Sequence, residues 1–404
     1  MLMSLAWKNI WRNKTRSLII LTAIALGILG GMLASGFSYG MVEQMISAAI
    51  GTRLAHIQIH HPEFSDQQDP SLTIERYDSI LAAAEGVESV VGISPRLVVN
   101  GMAVSPKTSS GAVIQGVDPQ RERRVSDVAA NIVSGVWFGD DALNPVVIGT
   151  QLAEKLDIDV GSKIVFTFQD VNNTITGAAF KVTGTYETVS SQYDVTHVFV
   201  RQSDLRDLLE LPRGLHEIAI LLSSSRNVTN IADRLKMRFP SAKVQTWREL
   251  APELQYISEM MDTSLLIFMG VILLALAFGI INTMLMVVLE RRRELGMLMA
   301  VGMHRKSVFQ TIMLETILLS LTGAVTGMVL SMTSVLVLAE TGIDLTLFSE
   351  GLRDLGLSEI LYPTLPWRLY PIITLMMIVT AVLAAVYPAV IALRLKPASA
   401  LRTM

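Results

Sequence analysis

Four runs of apolar residues constrain this chain more than anything else in it. Leu18–Phe37, Leu265–Leu289, Ile312–Ala339 and Tyr370–Leu393 contain a single acid or base between them, Glu315, and each is long enough as a helix to cross a hydrocarbon core of roughly 30 Å. A bilayer interior offers no water to backbone amides, so such runs fold as helices whose hydrogen bonds close internally. They also account for the composition, 51% hydrophobic and 17% charged with a mean hydropathy of +0.46, against roughly 25% charge in a soluble domain. The absence of cysteine excludes a disulfide scaffold, thiolate metal centres, a thiol nucleophile and an acylated N-terminal cysteine.

The first run follows Lys8, Arg12, Lys14 and Arg16 and ends near Ala34, Ser35 and Gly36, which is also the outline of a secretory signal. Signal cores span about 7 to 15 residues; this run has 20 and is read as a retained helix. The expected layout is an amphipathic N-terminal helix over 1–17, a first span over 18–40, a polar domain over 41–263 and a second span over 264–289. A connecting helix over 290–308, a third span over 309–339, a short loop over 340–369, a fourth span over 370–393 and a tail over 394–404 complete it.

Lys and Arg sort this layout across the membrane. Segments 1–17, 290–311 and 394–404 hold twelve basic and two acidic residues, a balance of +10. Segments 41–263 and 340–369 hold 21 basic and 33 acidic, a balance of −12, and Glu315 completes the net −3. Both termini and the 290–308 connection are expected in the cytoplasm, within reach of anionic lipid, and the large domain outside. The expected fold class is a membrane protein with four transmembrane α-helices and a large α/β extracytoplasmic domain inserted between the first and second. The pI of 6.1 gives no reason to expect nucleic acid as a partner.

Inside the polar block, Leu54–His60 alternates like a half-buried strand. Further strands are expected at Arg96–Val104, Gly111–Val117, Val146–Gly149, Lys163–Phe168, Phe180–Tyr186, His197–Arg201 and Glu217–Leu222. Helices are expected at Ser71–Ala84, Gln151–Leu156, Ser203–Leu209 and Val228–Phe239, and Glu253–Asp262 continues as helix into the second span. No catalytic constellation emerges. Adjacent residues of a strand point to opposite faces, so His60 and His61 do not share a metal, and with His56 they are expected at the surface. Ser109, Ser110 and Gly111 do not form a nucleophile elbow. The Asp140–Asp141 pair and the Arg121, Arg123 and Arg124 cluster read as solvated faces open to a partner.

Within the spans, Ala23, Gly27, Gly31 and Ser35 recur every four residues, and Gly323 and Gly327 repeat that spacing in the third. Small residues at this interval let helix backbones approach in lipid. Pro388 lies inside the fourth span and is expected to kink it unless a neighbour satisfies the freed carbonyl. Glu315, a turn into the third span, is expected to pair with a base such as Arg305 or Lys306. The sharper reading, a proton relay in a carrier or an intramembrane enzyme, needs more polar groups inside the spans than Glu315, Asn282 and hydroxyls supply.

The most specific segment is Glu290-Arg-Arg-Arg-Glu294-Leu-Gly-Met-Leu-Met-Ala-Val-Gly302, directly after the second span. As a helix it places Leu295, Leu298, Met299 and Gly302 on one side, with Arg291, Arg292 and Glu294 supplying charge near its start; composition alone supports a basic anchor. Its order resembles the E-R-x-x-E-[IL]-G-x-x-x-A-x-G segment of type VII ABC transporter permeases, the MacB/FtsX-like family. Three other regions carry the same resemblance. Leu5-Ala-Trp-Lys-Asn-Ile-Trp-Arg-Asn-Lys-Thr-Arg16 is similar to the family's amphipathic N-terminal helix, with Ile10 and the tryptophans toward lipid. Val146–Ala153 followed by Val160–Ile164 is similar to a recurrent extracytoplasmic stretch. Tyr387-Pro-Ala389 with Arg394, Lys396-Pro-Ala398 and Ala400-Leu-Arg402 is similar to the family's C-terminal pattern.

The resemblance implies a non-catalytic permease subunit in the bacterial inner membrane. Glu290, Arg291, Arg292, Glu294, Leu295, Gly296, Leu298, Ala300 and Gly302 would form a short helix docking on a cytoplasmic ABC ATPase. No G-x-x-x-x-G-K-[ST] phosphate loop occurs, so this chain is expected to bind no cofactor, with ATP and Mg on a separate ATPase subunit. A second permease, identical or different, would complete the complex, and ATP-driven closure would be transmitted through the spans to the outer domain. Arg53-Leu-Ala-His-Ile-Gln-Ile-His-His-Pro62 resembles the H-I-x-I stretch of lipoprotein-releasing permeases of the Lol type, which implies lipoprotein cargo and a periplasmic carrier. The alternatives are export of a periplasmic peptide or drug and FtsX-like regulation of a cell-wall hydrolase. A sensor without transport is the remaining reading.

Overall fold

The computed structural model describes residues 2–12, 14–139 and 143–393. Asp140, Asp141 and the C-terminal residues Arg394, Lys396, Ala398, Ala400 and Arg402 lie outside the described residues. The chain forms two compact units, a membrane unit of Met1–Val42, Ser258–Asp344 and Ile360–Met404 and an inserted domain of Glu43–Ile257 with Leu345–Glu359.

Four helices of the described residues are long and apolar enough to cross a bilayer, Ser17–Leu54, Pro252–Glu290, Arg305–Thr341 and Leu369–Leu393. The second has 39 residues, about 58 Å at 1.5 Å per residue, nearly twice a hydrocarbon core, so it continues well beyond the lipid. The first span is the hub of the bundle. A Cβ on Gly27 would lie 2.9 Å from Leu276, and one on Gly31 3.0 Å from Ile272 and Met269, so this face receives the second span. On the other face a Cβ on Gly323 would lie 3.0 Å from Ile24, and one on Gly327 2.8 Å from the Ala25 Cα, which seats the third span. The two glycine stripes therefore do not meet each other; each admits the side chains of a neighbour, and dispersion contacts hold the helices together.

Ala23, expected at the head of the first stripe, is exposed. Four-residue steps drift around a helix of 3.6 residues per turn, so positions 23 to 35 do not all face one neighbour. Ser35 is buried and donates to the Gly31 carbonyl at 2.7 Å. The fourth span packs along the third, burying Ala381, Ala384, Ala385, Ala389 and Ala392. It runs unbroken through Pro388. Asp262 and Arg368 form a two-pronged ion pair at 2.5 and 3.1 Å that joins the second span to the approach of the fourth.

The inserted domain contains ten strands among the described residues: β1 (Ile57–His60), β2 (Val90–Val104), β3 (Ser109–Val117), β4 (Ile132–Gly135), β5 (Pro145–Gly149), β6 (Lys163–Gln169), β7 (Ile175–Tyr186), β8 (His197–Arg201), β9 (Glu217–Leu222) and β10 (Lys243–Thr246). Two sub-bodies share one core. The antiparallel order β10-β1-β9-β2, with helices Tyr77–Glu85 after β1 and Val228–Arg238 between β9 and β10, is a ferredoxin-like split β-α-β arrangement. Between β2 and β9 the chain builds β2-β3-β8-β5-β7-β6, and β6 returns to the far end of β2, closing a six-stranded barrel with Phe166 and Phe180 buried inside. β2 serves both bodies: Val90–Arg96 pairs with β9 and Gly101–Val104 with β6.

Two expectations are corrected here. Only Ile57–His60 of the expected Leu54–His60 strand is strand. Ile50–Leu54 forms a π-helical end to the first long helix, and Ala55, at φ 49° and ψ −167°, turns the chain into the domain. His56 and His60 are not surface histidines, being 8% and 5% exposed, because β1 lies between β9 and β10 with all four residues buried. His60 Nε2 lies 3.1 Å from Gln58 Oε1, and His56 Nδ1 accepts from the Leu222 amide at 3.2 Å. Burial lowers both pKa values. His216, fully buried, accepts from the Val98 amide at 3.0 Å and contacts the Pro70 carbonyl at 2.8 Å, and burial holds its pKa down at about 4. Arg96, 1% exposed, donates to Glu122 at 2.6 and 3.0 Å and to Glu217 at 2.7 Å.

Candidate coupling site

The second span ends at Glu290 and the chain turns at Arg291, whose φ and ψ of −88° and 13° leave the helical region. A nine-residue helix, Arg292–Ala300, follows. Gly302 closes it: at φ +107°, with its amide on the Met299 carbonyl at 3.3 Å and the Met303 amide on Leu298 at 3.0 Å, it occupies the left-handed position of a Schellman close. Open space surrounds a Cβ there, so glycine is required by the backbone angle alone. The third span begins three residues later at Arg305.

Burial divides this short helix. Leu295 and Gly296 are buried, with Leu295 in the same core cluster as Val288, Val308 and Ile312, and Met299 packs against that core. Leu298 does not join them; it is 41% exposed, beside Met297 at 54% and Val301 at 87%. At about 100° per residue, Leu295, Gly296 and Met299 share an arc of about 100°, whereas Leu298 falls about 110° from its middle, toward Met297 and Val301 on the outward face. Arg293, Glu294, Ala300 and Gly302 are exposed as well. An apolar face bounded by charge is therefore presented away from the bundle. Met297 and Val301 were not singled out in the sequence, where they read as ordinary members of an apolar run.

Charge fixes the helix to its surroundings. Glu294 accepts from Arg12 of the N-terminal helix (Leu2–Arg12) at 2.7 Å and from Arg291 at 3.2 Å, and the Arg12 hydrogen bond, with Arg291 assisting, holds its carboxyl below the usual range. Arg291 reaches on to both oxygens of Glu315 at 3.0 and 3.1 Å. The expected partners, Arg305 and Lys306, are corrected to Arg291. Arg305 lies ten residues before Glu315 on the same helix, about 15 Å along its axis, whereas Arg291 and Glu315 lie twelve residues either side of Met303 in the turn. That symmetry about a hairpin was the available signal. Asn9, Arg12, Ser17, Arg291, Glu294 and Glu315 line a cleft of about 310 Å³.

The N-terminal helix packs on the third span. Ile10, 3% exposed, and Ala6 point into the bundle, while Trp7 and Trp11 stay 44% exposed. Ile10 is thus corrected from the lipid side to the inside. Among the described residues no group of three or more metal-ligating side chains converges. Among the described residues the geometry pairs Glu294 and Glu315 with arginines. It offers a helix seated on one side, exposed on the other and charge-linked to two further elements.

Residues 17–238 match the MacB-like periplasmic core domain, and residues 266–397 match the FtsX-like permease C-terminal domain. The lipoprotein-releasing system transmembrane protein LolC of Xylella fastidiosa is 25% identical over 309 residues, 72% of this chain and 73% of that protein. The pyoverdine export ATP-binding/permease protein PvdT of Pseudomonas entomophila is 25% identical over 354 residues, 81% of this chain and 51% of that protein. The solved periplasmic region of MacB from Actinobacillus actinomycetemcomitans aligns with 51% of this chain and 95% of its own length, at 12% identity and a TM-score of 0.36.

Proposed function

Since the chain belongs to the MacB/FtsX-like family of ABC transporter permeases, as a non-catalytic, multi-pass membrane subunit with a periplasmic domain, we propose that it converts the closure of a partner ATPase into movement of that domain. The ATPase, carrying ATP and Mg, docks on the exposed face of Arg292–Ala300 from the cytoplasm; the basic balance of the terminal and connecting segments supports both termini on that side. Pressure on this helix passes through Leu295 and Gly296 to the bundle core and through Arg291 to Glu315 in the third span. A second permease, identical or different, completes the complex in the inner membrane.

The single observation that carries this reading is the division of the short helix, seated by Leu295 and Gly296 with Met297, Leu298 and Val301 turned outward. The cargo we propose is lipoproteins, released from the inner membrane to a periplasmic carrier; similarity to LolC over 72% of the chain supports it. Export of a peptide or drug is the second reading, favoured by the match to a pyoverdine exporter over 81% of the chain. Depletion of this chain followed by fractionation of the membranes separates them. Lipoproteins accumulate in the inner membrane if the first reading holds; an unchanged distribution rejects it.

A further inference from the structure

The connection between the third and fourth spans is built more firmly than a surface loop requires. It leaves and returns through an antiparallel ladder, Ile343 and Asp344 against Leu361 and Ile360, closed by the Leu345 amide on the Glu359 carbonyl at 2.8 Å. Beyond this neck, residues Leu345–Glu359 belong to the compact unit of the periplasmic domain. Helix Ser349–Asp354 ends in a second Schellman close, with Gly356 at φ +69°, its amide on Arg353 at 3.1 Å and the Leu357 amide on Leu352 at 2.9 Å. Leu357 is 1% exposed. The helix packs against Ser191–Thr196, and Leu355 and Gly356 line a pocket of about 230 Å³ with Met45, Tyr193, His197 and Leu254.

Arg353 is the centre of the attachment. It donates to Glu187 and, through Nη2, to Glu359 at 2.8 Å. Glu187 directly follows β7, a strand of the barrel, and its amide is held by the Asn131 carbonyl at 3.0 Å. Ordinary connections run exposed over the surface and are the least stable parts of a structure. This one is pinned at its neck, at Leu357 and at Arg353, and its two ends are the third and fourth spans. We propose that residues 345–359 are a strap that fastens those spans to the periplasmic domain, with Arg353 as the positioning residue that grips the barrel at Glu187.

The strap deepens the force-transmission reading and rests on it: movement received by the third span reaches the barrel through a link other than the long helices. The chain has no cysteine, so Met237→Cys and Trp367→Cys, at positions 76% and 82% exposed, introduce two spin labels at known sites. The distance between them is measured in proteoliposomes containing the partner ATPase, with and without ATP and vanadate. The expected result is a nucleotide-dependent shift in the parent, a loss of more than half of it in Arg353→Glu with ATP hydrolysis kept within about twofold, and recovery when Glu187→Arg is added. Arg353→Gln, which removes the pair without repulsion, gives an intermediate shift and serves if Arg353→Glu folds poorly. A full shift in Arg353→Glu and Arg353→Gln, or no recovery in the exchanged pair, overturns the strap alone. A parent that binds the ATPase and hydrolyses ATP without any shift overturns force transmission and the strap together.

Discussion

Two arginine–glutamate knots, one in each unit, show how differently this chain uses the same chemistry. In the periplasmic domain Arg96, Glu122 and Glu217 are each at most 9% exposed, and Arg96 lies within 2.7 Å of both glutamates. At the base of the membrane unit Arg12 and Glu294 also meet at 2.7 Å, but at 53% and 47% exposure, while Arg291 and Glu315 are 17% and 8% exposed. Breaking a sealed pair strands a buried charge and costs about 3–5 kcal/mol; an exposed pair is worth about 0–1 kcal/mol. The first knot is therefore a fixed part of the periplasmic domain. The second grades from fixed at Glu315 to easily made and broken at Arg12, the property that the proposed joint requires.

The largest effect that tests this contrast is Arg96→Met. It leaves Glu122 and Glu217 buried without their cation and is expected to destabilise the chain by about 3–5 kcal/mol, read as a lowered denaturation midpoint in detergent. A drop under about 1 kcal/mol would place the knot among the weak ones.

Next comes acidification. His216 is held near pKa 4 in the folded chain against 6.5 unfolded, so its contribution is complete above pH 6.5 and is lost as pH falls toward 4. At 1.36 kcal/mol per unit this amounts to about 3 kcal/mol. Protonation would remove the acceptor for the Val98 amide. The unfolding midpoint is expected to fall between pH 6.5 and 4, with a shallower slope in His216→Gln; equal slopes would mean that the imidazole is not the group responsible. The smallest effect is Arg12→Ala, which is expected to change stability by about 0–1 kcal/mol while weakening stimulation of the ATPase. A loss of stability as large as that of Arg96→Met would erase the contrast between the two knots.

The two units were also unequally legible in the sequence. The spans announce themselves because twenty apolar residues in a row have few other solutions, and β3, β5, β6 and β8 were legible as short segments rich in Val, Ile and Phe, of which β6 alternates exposed and buried residues. What the sequence hid was neighbours. Alternation in Ile57–His60 identified a strand but not that β9 and β10 cover it, so His56 and His60 were misplaced. The four-residue stripes identified Gly27, Gly31, Gly323 and Gly327 as packing positions without saying that the first span presents different faces to the second and third. Glu315 was visibly out of place in a span, yet its partner was sought among nearby residues of the same helix. Arg353 carried no signal at all, because Glu187 lies 166 residues away. Gly302 was read as a member of the short helix beside Leu295 and Leu298, whereas it lies past Ala300 as the left-handed close, because spacing alone does not show where a helix stops.

The central claim is that the Arg292–Ala300 helix receives force from an ATPase, and it is tested most directly by the ATP hydrolysis rate of the partner in proteoliposomes with the parent chain and with Glu294→Arg. That substitution sets a third positive charge against Arg12 and Arg291 without touching Leu295 or the bundle core. The account predicts that the parent changes the hydrolysis rate, that Glu294→Arg abolishes at least nine-tenths of this effect, and that assembly with the ATPase weakens in parallel. Unchanged coupling and unchanged assembly in Glu294→Arg would contradict it.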